Sequence, residues 1–253
     1  MRLLSEGSWV RIPAGSPGKF KLKKYFFFIY LIAFNCYAFD EGHLNRLLQT
    51  KTCEYCDLSN ADLRKKNLQK AKLTGSNLSG TNFSGTNLKE ADLSYTNLSN
   101  STGYIAKLYK ANFEGADLTG VKLNGADLKN SNFSDANLSK SNLSNTDAAE
   151  IVFDGCNLKF SKFKAANLTK SKILGSNLFN TDFSGANLSN AVIDSVDLTN
   201  SKLVNTNLNN VFFYNSQLSG INFAKFDLNE NNFINNIMCD SLLPWKINKV
   251  MCE

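Results

Sequence analysis

Large apolar residues recur at every fifth position of this chain, from Leu58 to Met238, without a slip of phase. From Cys56 to Asp240 the chain divides into 37 consecutive pentapeptides, of which Ala61-Asp62-Leu63-Arg64-Lys65 and Ser76-Asn77-Leu78-Ser79-Gly80 are typical. With the central residue called i, position i is Leu, Phe, Ile or Met in 35 of the 37 units. Position i−2 is Ala, Ser, Thr, Cys or Val in 31 units, i−1 is Asn or Asp in 25, and i+2 is Gly or Asn in 21. This period excludes both common elements. On an α-helix, successive i residues would stand roughly 140° apart and leave no apolar stripe. In a flat strand an odd period sends them to alternate faces. The chain must therefore turn once per repeat.

Within a unit, i−2 and i are two residues apart and share one face of a short extended segment. Gly or Asn at i+2 suits a left-handed residue of a type II turn. The small i−2 residue leaves room beside the large i residue. Stacked turns of this kind pair backbone with backbone and bury a continuous column. These A(D/N)LxG-like units, unbroken over residues 56–240, resemble the pentapeptide-repeat family. The resemblance implies an all-β fold, a right-handed quadrilateral β-helix with four pentapeptides per coil. Thirty-seven units then make about nine coils, roughly 43 Å tall at the usual strand spacing.

A second pattern agrees with a four-sided coil. The nine central Phe residues (Phe83, Phe113, Phe133, Phe153, Phe163, Phe183, Phe213, Phe223 and Phe233) and the central Ile173 and Ile193 all carry numbers ending in 3. Units centred on numbers ending in 8 use Leu, apart from Ala148 and Met238. Alternate units are opposite sides of a square, so one pair of facing walls is expected to hold the aromatics. Gly103 and Ala148 replace large core residues without breaking phase. A local bulge is expected at 101–105, with Tyr104 or Ile105 turning inward. Lys66 at an inward-type position points to an imperfect first coil; Phe226, Asn231 and Asn236 say the same of the last.

A solenoid needs capped ends, because an open coil exposes pairing edges. Residues 39–55 are read as an N-terminal cap, with Leu44, Leu47 and Leu48 at helical spacing across 41–50. Residues 241–253 leave the repeat pattern and are expected to cover the other end with Leu242, Leu243 and Trp245.

The leader changes the reading of charge. The net charge is +6, but residues 1–38 hold six Lys/Arg and one acid, leaving 22 basic and 21 acidic residues beyond them. A nucleic-acid surface needs clustered basic charge, and this body is near neutral, so no nucleic acid is expected. Lys19, Lys21, Lys23 and Lys24 precede the ten-residue apolar run Tyr25 to Phe34, and Cys36-Tyr37-Ala38 follows. That is the layout of an export signal, with cleavage expected after Ala38. The run is short of the roughly 20 residues of a spanning helix, so no stable membrane span is expected after cleavage. The protein is read as periplasmic or extracellular in a bacterium. Residues 1–18, with Pro13 and Pro17, read as an over-extended gene start.

Cleavage would leave five cysteines. Cys53 and Cys56 form a C-x-x-C, read as a disulfide or as two packed thiols. A zinc site needs about four ligands, and only His43, the chain's one histidine, lies nearby. Cys156, at i−2, is read as a small buried residue. Cys239 and Cys252 flank the tail; an exported chain would join them, and similar tail pairs recur in the resembled family.

No nucleophile–base set and no phosphate loop assembles, so no enzyme and no cofactor are expected. The regular Asn and Asp at i−1 are read as wall hydrogen-bonders and not as ligands. One wall stands out, because its outward positions carry Val152, Leu174, Val192, Phe212, Tyr214 and Ile234. An exposed apolar patch marks an interface, here for an unknown protein partner, a second copy or the chain's own tail. The function expected is therefore an exported scaffold or interaction module. An alternative comes from resembled proteins that mimic DNA and bind type II topoisomerases such as gyrase; it would call for acidic walls and a cytoplasmic address. Ice binding would need outward Thr rows, whereas Thr here favours the inward i−2 position.

Overall fold

The computed structural model describes residues 39–245. Its backbone climbs as a four-sided solenoid. Residues twenty apart pair in parallel, as in Asp57↔Asn77, Asn77↔Asn97 and Asn97↔Asp117. Four pentapeptides thus close one coil. Wall I carries the central residues Phe113, Phe133 and Phe153; wall II carries Leu118 and Leu138; wall III carries Leu123 and Leu143; wall IV carries Leu128 and Ala148. On wall III, for example, Leu63 N–H donates to Asn82 O at 2.8 Å and Asn82 N–H donates to Ala61 O at 3.1 Å. The parallel ladder meets the backbone's demand for partners.

The turns explain the i+2 preference. Through most of the solenoid the residue at i+2 has positive φ, 47–61° where it is not glycine and 53–74° where it is. A β-turn bond closes most corners, for instance Ala61 N–H to Leu58 O at 3.1 Å. Asn tolerates this left-handed region and glycine has no Cβ to lose. At some corners a glycine makes room for the side chain of the corner below. The Tyr55 ring lies where a Cβ on Gly75 would fall, and the Tyr95 ring lies likewise under Gly115.

Inside, Phe113 and Phe133 stack with centroids 4.5 Å apart on wall I, and Phe163 and Phe183 stack at 5.3 Å on wall III. Phe153 meets Phe163 edge-to-face at 5.7 Å across the core, so the aromatic walls do face each other. Most buried Ser and Thr at i−2 are satisfied by carbonyls, Ser141, Ser161 and Ser171 being exceptions: Thr81 Oγ1 donates to Leu78 O at 2.8 Å, and Thr86 Oγ1 reaches Leu63 O on the coil below at 2.6 Å. Such bonds remove most of the cost of burying a hydroxyl. The i−1 amides work along the wall. Asn157 Nδ2 donates to Asn137 Oδ1 at 3.0 Å, while Asn137 Oδ1 accepts from Ser139 N–H at 3.2 Å.

From Val152 upward, wall I becomes a regular parallel sheet: β1 Val152–Asp154, β2 Lys172–Leu174, β3 Val192–Asp194, β4 Phe212–Tyr214 and β5 Phe233–Ile234, paired in that order. The β-branched and aromatic residues here favour extended backbone. At the following corners the chain above supplies acceptors: Cys156 N–H donates to Ser176 Oγ at 2.9 Å, and Val196 N–H donates to Ser216 Oγ at 3.2 Å.

Several expectations need correction. Residues 101–105 form no bulge; they keep the common unit conformation, and Tyr104 and Ile105 stay exposed. The space at Gly103 is taken by the Phe83 ring from the coil below, which occupies the site of the missing Cβ. Ala148 is buried as well. Ile151, three residues on, is fully buried, and its N–H closes the turn to Ala148 O at 3.3 Å. Lys66 does not spoil the first coil: its side chain is exposed while its amide keeps the turn bond to Leu63 O at 3.2 Å.

The repeat also runs one unit further at each end. Thr52 pairs with Lys72 and Cys53 is fully buried at a central position, so 51–55 belongs to the lattice and not to the cap. Ser241 and Leu243 are buried, and Leu242 pairs with Asn222, so 241–245 continues the solenoid instead of covering it. Helix α1, Glu41–Thr50, forms the lower cap. Asp40 Oδ1 accepts from Gly42 and His43 N–H at 2.8 and 3.1 Å, Lys51 closes the helix with φ 57°, and Leu47 is buried against the first coil.

The last coil is irregular. Phe226 stands at i−2, where the lattice wants a small side chain, and packs edge-on to Phe223 at 6.3 Å. Lys225 and Glu230 are missing from the left-handed corners that run from Tyr55 to Asp240, and Glu230–Asn232 forms a 3-10 turn.

Candidate interaction surface

The six apolar residues of the distinctive wall all lie on sheet β1–β5. Register divides them into two outward columns. One runs Val152, Lys172, Val192, Phe212; the other runs Asp154, Leu174, Asp194, Tyr214, Ile234. Val192, Phe212 and Ile234 are 43%, 41% and 43% exposed, whereas Val152, Leu174 and Tyr214 are half-buried. The wall is therefore not continuously apolar. Lys172, Asp154 and Asp194 chequer its lower part, and the apolar surface gathers at the top, where the Phe212 and Tyr214 rings stack at 6.3 Å. Asp194 is tied down by Asn215 Nδ2 at 3.0 Å and Ser195 Oγ at 2.9 Å. The sequence pattern found the wall but not this alternation, which appears only when strands twenty residues apart are laid side by side.

Cys53, Cys56 and Cys156 occupy buried inward positions. Cys53 and Cys56 form a disulfide. Cys239 is also disulfide-bonded; Cys252 lies outside the described residues, as do Cys36, Ala38 and the whole leader. Burial pushes the Cys156 thiol up to about 12, which leaves it a neutral core group and a poor nucleophile. His43 Nδ1 accepts from Asp57 N–H at 3.1 Å, pinning α1 to the first coil.

The perturbed carboxylates have structural causes. Hydrogen bonds from Arg64 hold Asp62 down to about 2. Asp57 is lowered chiefly by the Ser59 backbone N–H. In Asp92 and Asp182 burial acts upward but is outweighed by bonds from Ser94 and Ser184. These are turn-closing carboxylates at i−1, spread along the rod. Among the described residues no three His, Cys, Asp or Glu side chains group as metal ligands. Among the same residues no helix is long and apolar enough to cross a membrane.

Comparison with known proteins agrees with this geometry. A family model described as pentapeptide repeats matches in eight copies over residues 53–80, 67–102 and 174–210, and one described as a pentapeptide repeat region matches 116–185. No curated protein matches the chain. Among solved structures, HetL, a pentapeptide repeat protein involved in heterocyst differentiation regulation from the cyanobacterium Nostoc sp. strain PCC 7120, superposes with a TM-score of 0.57 at 18% identity, covering 82% of this chain and 98% of HetL. QnrB1, a plasmid-mediated fluoroquinolone resistance protein, gives 0.43 at 14% identity over 75% of this chain and 89% of its own. A pentapeptide repeat protein from the Arabidopsis thaliana thylakoid lumen is 34% identical over 45% of this chain and 69% of its own, with a TM-score of 0.28. The likeness to HetL shows a shared fold, and the other two superpositions are too loose to add to it. The five-residue lattice, the twenty-residue ladder and the matched models together place this chain in the pentapeptide-repeat family, with its right-handed quadrilateral β-helix.

Proposed function

We propose that this protein is a non-enzymatic scaffold, exported from the cell, that docks a protein partner or a second copy on the upper end of wall I. The observation that carries the reading is the β1–β5 sheet, a flat parallel surface whose top exposes Phe212, Tyr214 and Ile234 beside Val192. Elsewhere the walls are mostly Asn, Ser, Thr and Lys, and exposed apolar side chains such as Tyr95, Ile105 and Phe160 stand at corners and not on a sheet face. Aromatic side chains on a rigid face supply contact area at little entropic cost. The lysine-led apolar run before Ala38 supports export. The test combines capture from envelope extract with measurement of molar mass. Phe212→Ser together with Tyr214→Ser is expected to lose the captured partner or to lower the mass of a self-associated form. Unchanged capture and unchanged mass would remove the reading. N-terminal sequencing of protein from the envelope is expected to begin at Phe39.

A further inference from the structure

A seam opens between the coil of residues 201–210 and the coil above it, on walls III and IV only. One coil lower, Phe183, Gly185, Leu188 and Asn190 N–H donate to the carbonyls of Lys202, Val204, Asn207 and Asn209 at 2.8, 2.8, 2.9 and 2.9 Å. The corresponding amides of Leu203, Asn205, Leu208 and Asn210 have no backbone partner among the described residues. The bridges Asp182↔Lys202 and Asn187↔Asn207 are the last below the seam, and Asn222 pairs upward with Leu242 and not downward. Both ends of the seam are fastened. Asn200 N–H donates to Ser219 O at 3.1 Å, and Asn232 Nδ2 donates to Val211 O at 2.9 Å.

The break coincides with Phe226. This unit has a ring at i−2, and the two neighbouring corners, Lys225 and Glu230, lack the left-handed turn. On walls III and IV the top coil is no longer paired to the coil below. On wall III this leaves a groove of about 610 Å³ between Asn200–Asn207 and Gly220–Phe226. Unpaired amides beside a groove are costly, and a strand laid there would satisfy them.

We propose that this groove binds an extended acidic peptide from a partner chain, paired to the backbone at Leu203 and Asn205. Backbone pairing to an exposed edge is an established means of taking up a peptide. The charge follows from the wall: Lys202 and Lys225 line the groove and neither makes an ion pair among the described residues, whereas the wall IV half carries Asp227 and Glu230. The site is separate from wall I, and either proposal stands if the other fails.

The test uses the full chain and a fluorescent, N-acetylated heptapeptide alternating Thr and Glu, read by anisotropy. The probe is expected to bind with a Kd below about 1 mM. A Thr/Lys probe is expected to bind at least about tenfold more weakly, by loss of charge complementarity. A probe with each Glu N-methylated, which removes the N–H groups that outward-facing residues donate to the coil below, as Asn82 does to Ala61 O, is expected to lose binding by a similar factor of about ten. Phe226→Ala restores the small residue that the repeat prefers. It is expected to fold, as circular dichroism will show, to close the seam, and to lose the acidic probe. Equal binding of the N-methylated probe, or undiminished binding to Phe226→Ala, would overturn the proposal. So would slow amide exchange at Leu203 and Asn205 in the probe-free protein, which would mean that the groove is already filled.

Discussion

Walls III and IV can be compared one coil apart. Between 181–190 and 201–210 the ladder is complete; between 201–210 and 221–230 it is open. The lower coils carry Thr181 and Ala186 at i−2, with Ser201 and Thr206 above them, and the open coil carries Ile221 and Phe226. Missing bulk at i has no such effect. Gly103 and Ala148 remove large core residues, and the ladder continues past both, with the Phe83 ring lying where a Gly103 Cβ would fall. The two errors differ because an interior side chain can change rotamer to fill a void, whereas a ring at i−2 stands against the turn and moves the backbone. Smallness at i−2 holds this fold more firmly than size at i.

Substitutions sharpen that contrast. The largest effect is expected for Phe133→Ala in the closed stack, about 3–5 kcal/mol by denaturant unfolding. Leu228→Ala in the open coil is expected to cost about 2 kcal/mol, at the low end for such truncations. Equal losses at the two sites would erase the distinction. Next comes Gly103→Leu, which drives a side chain into the Phe83 ring and is expected to cost about 1–3 kcal/mol. Pairing it with Phe83→Ala should recover most of that loss, and a double variant no better than the single would show that Phe83 does not fill the gap.

A smaller, distributed effect follows from the turn carboxylates. Asp57, Asp62, Asp92 and Asp182 are held below their ordinary range in the folded state. Their contribution is complete above the unfolded value near 4 and is lost as pH falls through the lower folded values. The thermal midpoint should therefore hold from pH 7 to 5 and drop below about pH 4; a flat profile down to pH 2 would contradict this. Least of all should Cys156 respond. Its thiol is buried on a closed wall, and native protein at pH 8 should leave it unlabelled by a maleimide until denaturant is added.

The lattice itself was legible because it is local and repeated. The period gave the turn at i+2, the small i−2 beside the large i, and the facing Phe walls. The helix 41–50 was legible from Leu44 and Leu47. The ends were not, because Lys51–Tyr55 and Ser241–Trp245 lack the Asn and Gly signature, and a backbone ladder accepts residues that a composition rule does not. Gly103 was misread for a related reason: its compensation comes from Phe83, twenty residues away and one coil below. Phe226, Asn231 and Asn236 marked the last coil as irregular. Which ladder bonds would part, and that the gap would face Lys202, required the stacked coordinates.

Amide hydrogen exchange along walls III and IV tests the central contrast most directly. Phe183, Gly185, Leu188 and Asn190 are expected to exchange slowly, and Leu203, Asn205, Leu208 and Asn210, twenty residues on, at least about tenfold faster. Uniformly slow exchange at all eight amides would mean a fully zipped solenoid and would contradict the account.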